Sequence, residues 1–98
     1  MHRIGFAGLV AGLCLAAFCA GVPARAAEDL KQDWQICNGA TGEQAIAACT
    51  ALIESGTLSP DDLALVYDNR GMIYDSLGHN DLARQDLDRA CQLDDLRC

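Results

Sequence analysis

From Ile4 to Val22 the chain carries no charged side chain, and the remainder beyond that stretch is short. Met1, His2 and Arg3 form a basic start, and Pro23-Ala24-Arg25-Ala26 ends the segment with alanine at the third and first positions before a cut after Ala26. A basic start, an apolar stretch and a small-x-small end are the pattern of a secretory signal peptide. The rival reading is a retained membrane anchor, since an uncharged run of this size approaches the roughly 20 residues a spanning helix needs. Gly5, Gly8, Gly12 and Gly21, together with Ala24 and Ala26, favour cleavage. Phe18 before Cys19 and Leu13 before Cys14 argue against lipid attachment, which wants a small residue in front of the cysteine. Residues 1–26 are therefore expected to be a signal peptide, and residues 27–98 one small domain, periplasmic or secreted, with no membrane contact after cleavage.

A chain this short buries a modest fraction of its surface and usually needs staples or a partner. Cys14 and Cys19 leave with the signal, while Cys37, Cys49, Cys91 and Cys98 remain, an even number that in an exported chain reads as two disulfides. All 14 acidic residues lie beyond residue 26, against Lys31, Arg70, Arg84, Arg89 and Arg97, a balance of −9. Such a surface repels nucleic acid and anionic lipid. It suits solubility or a basic partner.

Three helices can be read from local signals. Thr41, with Gln44 three residues on, has the form of a capping box. Ala45, Ile46, Cys49, Leu52 and Ile53 then keep helical spacing until Ser55-Gly56. Ser59 caps the next helix, Pro60 fills the first turn, and Asp61 and Asp62 face the positive end of the dipole. Leu63, Val66, Tyr67, Tyr74 and Leu77 form its apolar stripe, and Gly78 ends it. After His79, Asn80 is expected to cap a third helix carrying Leu82, Ala83, Leu87, Ala90 and Cys91, with Asp81/Arg84 and Asp86/Arg89 as exposed pairs. Leu30, Trp34 and Cys37 suggest a shorter helix from about Glu28 to Cys37, broken by Asn38-Gly39. With no β pattern anywhere, the expected fold is all-α.

Helix pairs on short links prompt a search for repeats near 34 residues. Tyr67-x-Asn69-Arg70-Gly71-x-x-Tyr74-x-x-Leu77-Gly78 followed by Ala83-x-x-x-Leu87-x-x-Ala90 resembles a tetratricopeptide repeat over residues 64–97. Gly71 and Ala83 are small where two helices would face each other, Tyr74 and Leu87 fill the flanks, and Ala90 is small again. The proline usual at the end of this repeat is replaced by Asp95. Residues 28–56 resemble a degenerate copy, with Cys49 in place of the large residue and Leu52 in place of the small one. The resemblance, to small exported tetratricopeptide proteins of Gram-negative bacteria, implies about one and a half repeats of antiparallel helix hairpins.

An antiparallel first pair makes a Cys37–Cys49 bond reasonable. Cys91 and Cys98, on an unbroken helix, lie about 10 Å apart along the axis, beyond the roughly 7 Å a disulfide tolerates between α-carbons. They pair only if the helix ends near Asp94, and a cysteine just after the final helix is similar to the related Sel1-like cysteine-rich repeats. Of the three possible connectivities, 37–49 with 91–98 is favoured.

No metal, haem or cofactor motif is present, and His79, the lone histidine beyond the signal, reads as a solvated link residue. No nucleophile grouping or phosphate loop occurs, and an enzyme is not expected. The resemblance instead implies that the first helix of the repeat lines a binding surface, with Leu65, Asp68, Asn69, Met72 and Asp75 facing a peptide or protein partner, and Asn69 where family members often hold a peptide backbone. The competing reading is that Asn69 and Arg70 stabilise the repeat's own neighbours. Two alternatives stand beside the interaction module: a cell-wall-related enzyme of the Sel1-like kind, and a subunit or inhibitor that folds fully only in an oligomer, with Leu82, Leu93 and Leu96 against a second copy.

Overall fold

The computed structural model describes residues 27–98, so the signal segment and its Ala24/Ala26 site lie outside the described residues. Four helices run in order: α1 (Ala27–Gly39), α2 (Gly42–Ser55), α3 (Pro60–Ser76) and α4 (Asn80–Leu93), with a single 3-10 turn, Asp95–Arg97, after the last. There is no strand among the described residues, and the fold is all-α. None of these helices is long and apolar enough to cross a membrane.

The two hairpins, α1–α2 and α3–α4, are joined by packing of α2 on α3, and α1 also reaches α3. Their shared core is Cys37, Ala48, Cys49, Leu52 and Val66, with Leu30, Trp34, Ile36, Ile53, Leu58 and Ile73 packed around it. Val66 is thus contributed by the second hairpin to the core of the first, and it is fully buried.

Between α3 and α4 the approach is close. A Cβ placed on Gly71 meets Leu87 Cγ and Cδ2 at 3.0 Å and the carbonyl oxygen of Ala83 at 3.2 Å. Ala83 and Ala90 are buried on the facing helix, while Tyr67, Tyr74 and Leu87 are half-buried. The turn that joins the two helices is a Schellman motif: Gly78 takes φ 84°, its amide donates to the Asp75 carbonyl at 3.0 Å, and the His79 amide donates to the Tyr74 carbonyl at 2.9 Å. His79 sits edge-on to the Tyr74 ring, 6.1 Å between centroids, so the contact that usually accompanies this motif is aromatic here.

Several local expectations are corrected. Ser59 accepts from the Asp62 amide at 3.2 Å, whereas Thr41 stands at the N-cap without a side-chain cap bond. Gly42, the first residue of α2, takes φ 75° and so turns the backbone directly after Thr41. The cap of α4 is His79, also without a side-chain bond, and Asn80 is already helical. Helix α1 continues through Asn38 and Gly39 rather than breaking at them. Leu77, placed in the apolar stripe, is exposed at the hairpin turn. Asp86 is not half of an exposed pair with Arg89. It is buried and bound to Arg70, and Arg89 donates to Gln92 Oε1 at 3.1 Å instead.

Candidate functional site

Arg70 is the most heavily engaged polar side chain of α3. Its Nε donates to Asp86 Oδ2 and its Nη2 to Asp86 Oδ1, both at 2.7 Å, the two-pronged geometry that suits a guanidinium to a carboxylate. Its Nη1 donates to Thr50 Oγ1 at 3.0 Å, so one side chain ties α3 to α4 and to α2. The guanidinium also lies 5.6 Å from the Tyr67 ring centroid and 5.7 Å from that of Tyr74. The hydrogen bonding that Arg70 donates to Asp86 raises its pKa above the ordinary value, with burial opposing and the Asp86 charge adding to it. Arg70 is therefore a framework residue, turned away from solvent.

The opposite side of α3 carries the five residues expected to face a partner. Met72 is 60% exposed and Asp75 is exposed, while Leu65, Asp68 and Asn69 are half-buried. Asn69 donates from Nδ2 to Oδ1 of Asn38 at the end of α1. Asp68 accepts from Arg97 Nη1 at 2.9 Å, and Arg97 Nε lies 3.5 Å from Asp94 Oδ2. Two of the five, Asn69 and Met72, line a shallow concavity of about 140 Å³ together with Cys37, Asn38, Ala40 and Ile73. Leu65, Asp68 and Asp75 lie outside its lining.

This concavity forms where the last turn of α1 meets the middle of α3. The Asn38 and Asn69 carboxamides give it polar edges, and Cys37, Ala40, Met72 and Ile73 give it apolar walls. None of its lining residues is charged, and neither of the buried carboxylates, Asp33 and Asp86, borders it. Among the described residues no three histidine, cysteine or acidic side chains come together where a metal ion could sit.

The cysteines pair as 37–49 and 91–98, with α-carbons 4.9 Å and 4.7 Å apart. The second pairing depends on Asp94, whose extended backbone (φ −149°, ψ 110°) ends α4 and lets the chain fold back. Three residues of this region carry no mark of a binding role in the sequence: Asn38, Ala40 and Arg97. Asn38 and Ala40 flank a helix end that the Asn38-Gly39 pair would place two residues earlier, and Arg97 reaches α3 only because of the turn after Asp94. Two disulfides and the lack of a membrane-length helix among the described residues are compatible with an exported protein. No protein-family model matches the chain, and neither the curated proteins nor the solved structures give a significant match.

Proposed function

We propose that this chain is a periplasmic or secreted interaction module of tetratricopeptide type, which docks a peptide or protein segment on the face shared by α1 and α3. The observation that carries the reading is the concavity beside the 60% exposed Met72, edged by the Asn38 and Asn69 carboxamides. Exposed methionine adapts its shape to apolar ligands, and carboxamides offer both donors and acceptors to a backbone. Supporting it further are the close approach at Gly71 and the order of helix packing, in which α2 packs on both α1 and α3 while α1 also reaches α3. The segment that suits this face presents an apolar side chain to Met72 and Ile73 and a basic neighbour to Asp75. The enzyme alternative has no convergent charged group in the concavity to rest on.

The test is capture with the disulfides intact. Met72→Glu puts a carboxylate on the apolar wall and should reduce partner retention at least about tenfold, the scale of a lost interface anchor. Arg84→Glu, on the exposed side of α4, serves as the control and should leave retention unchanged. Equal capture by wild type and Met72→Glu removes the face from consideration. A second reading, docking between copies, draws on Leu82 and Leu96, 42% and 94% exposed. A dimer by sedimentation that dissociates on Leu96→Asp favours it.

A further inference from the structure

We propose that the Cys91–Cys98 disulfide is a thiol-sensitive clasp that seats Arg97 on Asp68 and so sets the charge of the α3 face. The two disulfides differ sharply in access. Cys37 and Cys49 are 2% and 0% exposed in the core, whereas Cys98 is exposed and Cys91 half-buried. Thiol–disulfide exchange needs an incoming thiolate to reach a sulfur atom, so access decides which bond reacts first.

What the clasp holds has little else to hold it. The turn Asp95–Arg97 rests on local interactions: the Leu96 amide to Asp94 Oδ1 (3.0 Å), the Arg97 amide to the Asp94 carbonyl (2.9 Å), the Cys98 amide to the Asp95 carbonyl (3.3 Å) and the Arg97 Nε–Asp94 Oδ2 ion pair (3.5 Å). A lone 3-10 turn is marginal in water. Leu96, its one large apolar residue, is 94% exposed and anchors nothing. The Arg97–Asp68 pair, with 28% and 25% of its side chains in solvent, ties the turn to α3 through two flexible side chains that must be held in one geometry. Covalent closure across a separation of seven residues is what keeps Arg97 opposite α3.

The reductant is a low-molecular-weight thiol. Its thiolate attacks the sulfur of Cys98, an exposed residue, a mixed disulfide forms, and the electron pair of the broken bond leaves on Cys91, which takes up a proton. A second thiol attacks the mixed disulfide at the small-molecule sulfur and releases Cys98 as a thiolate, which is protonated in turn. Two thiols lose two electrons and two protons, Cys91 and Cys98 gain them, and the small-molecule disulfide departs. Arg97 is then free to leave Asp68, which lies one residue before Asn69 at the edge of the concavity, and the face gains an uncompensated negative charge.

This proposal concerns the same face as the docking reading but has its own experiment. The purified protein is titrated with reduced glutathione, blocked with N-ethylmaleimide and mapped by mass spectrometry. Cys91 and Cys98 should be labelled at least about tenfold faster than Cys37 and Cys49, as thiol access requires. In the selectively reduced protein, amide exchange at Leu96 and Arg97 should accelerate by about tenfold or more, as expected when a local turn opens. Affinity for a tetralysine peptide at low salt should rise about threefold, a change on the scale of one unmasked surface charge, and Arg97→Gln should give the same rise in the oxidised protein. Simultaneous reduction of both disulfides, or exchange that stays slow after reduction, overturns the clasp. An opened clasp with unchanged tetralysine affinity overturns its role in setting charge, and leaves the docking reading to the Met72→Glu result.

Discussion

The two hairpins solve the same problem, holding two consecutive helices together around a small core, by different means. In α1–α2 the bond is covalent and apolar: Cys37–Cys49 lies buried beside Ala48, Leu52 and Trp34. In α3–α4 it is steric and ionic. Gly71 lets Leu87 and Ala83 approach, and Arg70 grips the buried Asp86 through two hydrogen bonds. The disulfide of that second half closes only the turn after α4 and does not join its two helices. Small residues at a helix crossing can thus stand in for a cross-link, provided a charge pair fixes the register.

The contrast is tested most severely at Arg70. Arg70→Met leaves the Asp86 carboxylate buried without its partner, and thermal or urea unfolding should show a loss of about 3–5 kcal/mol, with much of it recovered in Arg70→Met/Asp86→Leu. If the double variant is no better than the single, the pair does not hold the second hairpin. Replacing Cys37 and Cys49 together by alanine should cost about 3 kcal/mol for a loop of this size, and reducing agent should then have no further effect on the midpoint beyond that of the other disulfide. The smallest effect contrasts the two helix starts. Ser59→Ala removes a cap bond and should cost about 1 kcal/mol, while Thr41→Ala, which removes none, should be close to neutral by the same measurement.

Much of the second hairpin was legible because its signals are local. Ser59-Pro60 marks a helix start and Gly78 a left-handed stop, and each acts within a few residues of itself. Gly71 and Ala83 at a crossing were legible through the repeat-like pattern they belong to, whose small positions mark where helices approach. The role of Asp86 was not, since spacing along α4 offers Arg89 as a neighbour but cannot announce that Arg70 arrives from another helix. Thr41 misled for a related reason: its side chain suits a cap, but Gly42 decides the backbone path beyond it. Of the proposed docking face, Asn69 and Met72 were placed on one side of α3 by the tetratricopeptide resemblance. Their meeting with Asn38 and Ala40 depended on how α1 docks, and the Asp68–Arg97 pair on a chain reversal at Asp94 that only the cysteine spacing hinted at.

Val66 fills the centre of the first hairpin's core although it belongs to the second, and the Arg70 guanidinium reaches across to Thr50 from the same helix. Neither half is consequently a detachable building block. A gene truncated at the link between them would leave the first fragment without Val66 at its centre and the second with Val66 bare and Arg70 short of Thr50, so the smallest heritable unit of this architecture is the pair.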